Sequence, residues 1–266
     1  GDRVSNEDAY LFGKLFRDVL KSNRISNRPQ VAGIDLVQRY GLGKGSNLKD
    51  LGKGDVILVV AGDVEESAPI YSLRLMAAAK RGATLIVANS RETKMDRYTK
   101  HSLRYKAGTE AQLVYGLLSA ASNQPSAISD QLSIYSASKV ESITGVAANA
   151  IAEAGKAIGA AKNLIVVFGD EQPQPVMPHG EQTNEGRALA QACANLVVAT
   201  GHVGKANNGL LPLWPHNNTQ GVFEMLAATG VSWSNADNLK ALYIVGSDPI
   251  GEGHHLPKSE FVVVQE

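Results

Sequence analysis

The sequence predicts an α/β fold with mostly parallel sheets, and three observations carry that prediction. Two apolar runs, at 56–61 and 84–88, flank a helical pattern and so form a βαβ unit. Both runs are continuously aliphatic, as expected of parallel strands covered on both faces and unlike the alternation of a half-exposed sheet. Three strand-like runs also end in a glycine-bearing polar turn: Gly62-Asp63, Gly169-Asp170 and Gly246-Ser247-Asp248. Open α/β sheets bring backbone N–H groups toward a ligand at such strand ends.

In chain order, Ser5 with Asp8 resembles a helix-start cap, and Tyr10, Leu11, Leu15, Val19 and Leu20 then recur near helical spacing, predicting a helix that ends near Asn23. Residues 24–54 are rich in glycine and polar side chains and predict a long loop with one short helix at 33–40. The strand at 56–61, a helix at 67–81 closed by Gly82, and the strand at 84–88 follow. A short alternating strand at 101–106 leads to a helix that begins at Thr109-Glu110 and runs through Leu113, Val114, Leu117 and Leu118. The Ser-, Asn-, Gln- and Pro-rich stretch 122–135 is the expected boundary between two three-layer, Rossmann-like subdomains, 1–122 and 123–266. In the second, helices at 138–146 and 147–158 precede a strand at 163–168, and the proline-bearing 171–180 cannot be regular. Thr183 starts a helix to Ala199, Gly201 ends it, and 201–218 reads as a loop. A helix at 219–228 and strands at 241–245 and 261–264 complete the series.

Composition excludes several classes of function. Lys plus Arg and Asp plus Glu each number 26 in 266 residues, so no net charge favours nucleic acid or an anionic membrane surface. No apolar run reaches the roughly 18 residues of a membrane span, and no signal-peptide pattern opens the chain, so a cytosolic, soluble protein is expected. The single Cys193 can form neither an internal disulfide nor a thiolate metal site, and in its small-residue run 190–196 it reads as a buried helix residue. Gly1-Asp2-Arg3 carries no initiator Met, and the chain stops directly after a strand-like run, which suggests part of a longer protein.

Neither G-x-G-x-x-G nor G-x-x-x-x-G-K-[ST] occurs, so dinucleotide-fingerprint and P-loop chemistry lose their specific support. Glu65 and Glu66, beside the first turn, are expected to repel a phosphate there. Asn89-Ser90-Arg91 after the second strand supplies an amide and a charged fork; base or ribose recognition and plain loop solvation both stay open. His101, His179, His202, His216, His254 and His255 fall in no H-E-x-x-H pattern, and no G-x-S-x-G elbow marks a nucleophile, so neither a metal site nor a catalytic residue is assigned. The amide-dense tract 200–221 is long for a connection and reads as a binding or docking loop.

That tract also carries a resemblance. Asn195-Leu196, Thr200-Gly201, Gly204, Pro212-Leu213, Asn217-Asn218 and Gln220-Gly221 fall in order on the N-L-x-x-x-T-G-x-x-G and P-L-x-x-x-N-N-x-Q-G patterns of the molybdopterin oxidoreductases, the superfamily of formate dehydrogenase and nitrate reductase. Ser5-Asn6-Glu7 resembles that family's N-E-E helix, and Gly82-Ala83 through Asn89-Ser90-Arg91 its G-A…D-P-R turn. Lys106-Ala107-Gly108-Thr109-Glu110 resembles P-G-T-D, and Leu242-Tyr243-Ile244-Val245-Gly246-Ser247-Asp248-Pro249 resembles L-Y-x-x-G-E-N-P.

The sequence departs from the pattern where active members carry a Cys, selenocysteine or Ser ligand to molybdenum: residues 25–33 are short and lack the V-C-H core, although they contain Ser26. Asn89 and Ser90 replace the Asp and Pro of D-P-R, and Trp214-Pro215-His216 replaces R-G-Q. With these departures the chain is most similar to the family of the large iron-sulfur subunit of NADH:quinone oxidoreductase (respiratory complex I). The resemblance then implies a catalytically silent scaffold, with no cofactor in this part, iron-sulfur clusters upstream and other peripheral-arm subunits as partners. It implies no nucleic acid, no direct membrane insertion, and a cytoplasmic place on the inner face of the cell membrane through the parent complex. Under it, Gly62, Asp63, Asn89, Arg91, Gly201, Asn217, Asn218, Gln220, Gly246 and Asp248 are vestigial molybdopterin dinucleotide positions. The alternatives are an active formate dehydrogenase-like enzyme holding molybdopterin guanine dinucleotide, and a stand-alone nucleotide-binding module.

Overall fold

In a computed structural model, residues 1–26, 33–121, 132–169, 184–214, 216–226, 238–251 and 255–265 are described. The stretch 171–180 and most of the expected boundary 122–135 lie outside them, as do Thr183 and the end of the 219–228 helix. The chain divides into two compact units. The larger holds Asp35–Pro173 with Asn184–Leu213; the smaller holds Gly1–Ile34, Gln174–Thr183 and Trp214–Glu266.

The larger unit is built on a parallel sheet of β1 (Val56–Val60), β2 (Thr84–Asn89), β3 (His101–Arg104), β4 (Leu164–Phe168) and β5 (Gly209–Pro212), in the order β3-β2-β1-β4-β5. All five residues of β1 are buried, as a central strand requires. Its register runs Val56↔Thr84 on one side and Val56↔Leu164 on the other. The chain therefore lays strands outward on one side of β1 and returns to its other side at β4, the topological switch of doubly wound folds.

This sheet corrects the expected division at 122. β4, assigned to a second subdomain, pairs onto β1 instead and carries β5 on its other edge. The aliphatic run Leu164–Phe168 is buried throughout and finds its partner on β1's free edge. β5 also corrects the reading of 201–218 as loop. It has only four residues and ends in proline, too short for a local pattern, yet Leu210 and Leu211 are buried.

Side chains alternate across the sheet. Ile57, Val59, Leu85, Val87, Ile165 and Val167 form one core with Leu75 and Ala78 of a covering helix, Pro69–Lys80, and with Leu51 and Met95. Leu58, Val60, Ile86 and Val166 face the other way. The helices preceding and following the central strands are α2 (Ile34–Tyr40), α3 (Val64–Ser67), α4 (Pro69–Lys80), α5 (Glu110–Ala120), α6 (Ala137–Thr144), α7 (Ala148–Gly159) and α8 (Asn184–Ala199). Among these, α5 packs on α6, α7 and α8, and α8 on β4 and β5. The helix expected at 67–81 is α4, opened by Pro69; a separate single turn, α3, precedes it and stops at Ala68, where the missing N–H of Pro69 interrupts the helical hydrogen bonds. Gly145, at φ 79°, closes α6 in a left-handed turn that L side chains rarely adopt.

In the smaller unit α1 (Asn6–Lys14) is capped by Ser5, whose Oγ accepts from the Asp8 amide at 3.2 Å. It continues as a wider turn over Leu15–Val19, and Lys21 at φ 52° leaves the helix short of the expected Asn23. Ala9 packs with Ile25 and with Val222 and Leu226 of α9 (Thr219–Leu226), supported by Val4, Phe12 and Phe16. Two parallel strands, β6 (Leu239–Val245) and β7 (Ser259–Gln265), form the second sheet.

Candidate functional site at the strand ends

The carboxyl ends of β1 and β4 meet where a doubly wound sheet holds ligands. There the backbone closes on itself. The Gly169 amide donates to Val60 O (3.1 Å), Leu213 N to Phe168 O (2.7 Å) and Ala61 N to Ala88 O (3.1 Å). A Cβ on Gly62 would stand 2.7 Å from Leu213 Cδ1, and one on Gly169 would stand 2.5 Å from Ala61 O. The glycines are needed for this chain-to-chain approach, and Ala61 adopts φ 52° to make the turn while only 1% exposed.

The next turn is bound to the first. Asn89 is fully buried; its Nδ2 donates to Gly62 O at 3.2 Å and its Oδ1 accepts from the Arg91 amide at 3.3 Å. Arg91 Nη2 lies 3.3 Å from both Asp63 and Glu66 carboxylates. Asp63 also caps α3, accepting from the Glu65 amide at 3.2 Å. Lys94 pairs with Glu65 at 2.9 Å, and that hydrogen bond holds the ammonium above its ordinary range. Asp96 ties the following loop down. Burial favours its neutral form, but the Thr93 amide, the Ser102 hydroxyl and the Arg104 guanidinium outweigh burial and hold the carboxyl below its usual range.

The expected positions thus fall into three groups. Gly62, Asp63, Asn89 and Arg91 converge at the carboxyl edge of the larger sheet. Gly201 lies at the opposite, amino edge: it ends α8, and the next residue, His202, places Nε2 3.2 Å from Ala161 O just before β4. The other five belong to the smaller unit. Asn218 donates to Val4 O at 2.7 Å and to Asn6 Oδ1 at 3.0 Å. Gly246, at φ 56°, packs on the same Val4. Gln220 bonds Glu224 within α9, Asp248 accepts from the Gly251 amide at 2.9 Å, and Asn217 is exposed.

Part of the amide-dense tract is structural, which corrects its reading as a docking loop. Asn208, 1% exposed, accepts from Leu164 N at 3.0 Å and donates to Asn163 Oδ1 at 2.8 Å. Asn163 passes the link to buried Asp55 at 2.7 Å. Asn207 accepts from the Asn47 amide at 2.7 Å and donates its own N–H to Ser46. This clasp, and the buried Asp2 that takes the Thr219 hydroxyl, are side-chain sites that sequence reasoning missed. Polar residues at strand starts carry no local signature that separates a clasp from solvated loop.

Tested against an anionic dinucleotide, the larger unit's strand-end turns do not fit as described. Asn89 has both polar atoms engaged, Arg91 faces two carboxylates, and Leu213 fills the space above Gly62. Glu65 and Glu66, expected to repel a phosphate, instead neutralise the two cations that would attract one. Cys193 is fully buried, and burial pushes its thiol far up. Among the described residues no group of three His, Cys, Asp or Glu could hold a metal ion, and no helix is long and apolar enough to cross a membrane.

Comparison with known proteins accounts for the architecture. The family model described as Molybdopterin oxidoreductase matches residues 1–266. The F420-dependent formate dehydrogenase 2 subunit alpha of Methanococcus maripaludis is 25% identical over 326 residues, covering 99% of this chain and 47% of that protein. The NADPH-Fe(3+) oxidoreductase subunit alpha of Geobacter sulfurreducens is 26% identical over 99% of this chain and 37% of its own length. Formate dehydrogenase H of Escherichia coli is 25% identical, covering 84% and 33%. Acetylene hydratase from Pelobacter acetylenicus shares the fold, with a TM-score of 0.56 at 19% identity over 75% of this chain and 28% of that one. The chain spans about half or less of the length of these relatives. None of these relatives is a subunit of NADH:quinone oxidoreductase, so the narrower resemblance to the large iron-sulfur subunit of that complex gains no specific support here. Matched along its whole length, this chain belongs to the molybdopterin oxidoreductase family.

Proposed function

We propose that this chain is part of a molybdopterin-dependent oxidoreductase of the formate dehydrogenase type. The family match over residues 1–266, with formate dehydrogenase alpha subunits among its relatives, carries that reading. The part played by this chain is architectural. Two parallel-sheet units carry glycine turns at their strand ends; those of the larger unit do not fit the pterin dinucleotide, and no step runs through that cofactor at these turns. No chemical step is assigned to a residue of this chain, because Asn89 and Arg91 are turned inward.

That inward pairing favours a second reading, a catalytically silent scaffold within the large iron-sulfur subunit of NADH:quinone oxidoreductase, whose partners would be other peripheral-arm subunits. Elemental and pterin analysis of the purified full-length protein separates the two. The enzyme reading expects stoichiometric molybdenum, fluorescent oxidised pterin and formate-dependent dye reduction. Absence of both metal and pterin would overturn it in favour of the scaffold.

A further inference from the structure

The larger unit's five strands all run parallel, so their amino ends share one edge. Exposed cations precede each of them: Lys100 before β3, Lys80 and Arg81 before β2, Lys53 before β1, Lys162 before β4 and Lys205 before β5. In the sheet order β3-β2-β1-β4-β5 these positions make one row. At about 4.8 Å per strand the row is roughly 19 Å long. The turns that carry it touch. A Cβ on Gly82 would stand 3.5 Å from Lys53 Cβ and one on Gly54 3.8 Å from Lys162 Cβ, while the Lys162 amide donates to Gly54 O at 2.8 Å.

The charge of the row is not cancelled. Among the described residues none of these cations lies within ion-pair distance of a carboxylate. Arg81 donates instead to the carbonyls of Leu51 (2.9 Å) and Leu48 (3.3 Å), and Lys80 Nζ stands 5.9 Å from the centre of the Tyr98 ring. The connections 41–55, 80–83, 99–100, 160–163 and 200–208 carry only Asp50 and Asp55 as acids. Asp55 is buried and accepts from the Gly52 amide and the Asn163 side chain; Asp50 is exposed, with exposed Lys49 beside it. At the opposite edge Arg91, Lys94 and Arg104 all face carboxylates. A net charge of zero over the chain therefore conceals a locally positive edge.

The chemistry of the row selects its partner. All but Arg81 are lysines, strongly hydrated point charges rather than the planar forks that grip phosphates bidentately. No large apolar side chain is exposed on these connections, so a membrane would be held by charge alone, one of the two signals that stable anchoring takes. They hold no Phe, Tyr or Trp on which a base could stack. A duplex or a membrane also extends past the row by more than the screening length of about 8 Å, and there meets a chain whose charges sum to zero. A protein helix fits better: carboxylates on its successive turns are about 5.4 Å apart, close to the spacing of the strands. We propose that this amino edge is a docking surface for an acidic helix of a separate partner protein, with one carboxylate per turn set against the lysine row. The proposal rests on neither reading of function above.

A fluorescent helical peptide with a glutamate on every turn of one face, titrated into the full-length protein and followed by anisotropy, tests it. Binding is expected to weaken at least about tenfold between roughly 50 and 200 mM salt, and at least about tenfold in Lys53→Glu/Lys162→Glu. The neutral pair Lys53→Gln/Lys162→Gln should weaken it less, and Lys106→Glu, exposed beyond the other end of β3, should leave it unchanged. No binding, or binding indifferent to the row, would overturn the proposal. So would tighter binding of a short DNA duplex or of phosphatidylglycerol vesicles than of the peptide. In the full-length protein alone, Lys53, Lys162 and Lys205 are expected to be acetylated by a surface reagent as readily as Lys106. Protection of the row would show it covered by the same molecule and defeat the proposal.

Discussion

Replacing Asn208 with alanine distinguishes a clasp from a binding loop. The substitution removes one acceptor and two donors: the bonds to Leu164 N (3.0 Å), Asn163 Oδ1 (2.8 Å) and Ala206 O (2.9 Å). Leu164 is fully buried, so its N–H has no solvent to turn to. An unsatisfied buried donor costs about 1–3 kcal/mol, and Asn163 Oδ1 loses its partner as well. The expected loss is about 3 kcal/mol, roughly 6–12 °C in midpoint at 2–4 °C per kcal/mol for a unit of this size. Asn208→Asp should not rescue, because the donors to Asn163 and Ala206 disappear and a carboxylate is brought toward the chain leading to buried Asp55. Urea unfolding followed by circular dichroism reads the effect as a lower midpoint at unchanged slope. A loss under about 1 kcal/mol would show that the clasp is not holding β4 and β5, and the reasoning would fail.

Three further outcomes follow from the same geometry. Gly62→Ala should cost about 1–2 kcal/mol because its Cβ meets Leu213 Cδ1 at 2.7 Å; Leu213→Ala should relieve part of that cost, and purely additive effects in a double-mutant cycle would refute the contact. Arg91→Ala should change stability by less than about 1 kcal/mol, since the guanidinium is 56% exposed; a larger, salt-insensitive loss would mean the turn depends on it. Burial, aided by Lys205, lowers the pKa of His202 below its ordinary 6.5, against the opposing pull of the Ala161 carbonyl. The folded state then binds fewer protons than the unfolded chain. Stability from this residue is complete above pH 6.5 and declines as pH falls below it, and His202→Gln should flatten that slope in urea midpoints measured from about pH 7.5 to 5.

Much of the fold was legible because its signals are local. The apolar, β-branched-rich runs at Val56–Val60 and Leu164–Phe168 read as strands covered on both faces, and the Ser5 cap marks a helix start within one turn, whereas Gly145 ends α6 inside a helix expected to reach 146. The family pattern in 195–221 was legible too, as spacing along the chain. What tertiary structure decided are pairings between distant residues. No local rule says that Val56 pairs with Leu164, 108 positions away, and that choice moved β4 and β5 into the first sheet. The same holds for the polar groups. Asn89, Arg91 and Asn208 carry identical chemistry whether they face a ligand or their own backbone, and only the approach of Gly62, Asp63 and Leu164 turned them inward. Hydrogen-bond capacity is written in the sequence, but its direction is set by whichever partner the fold brings within about 3 Å.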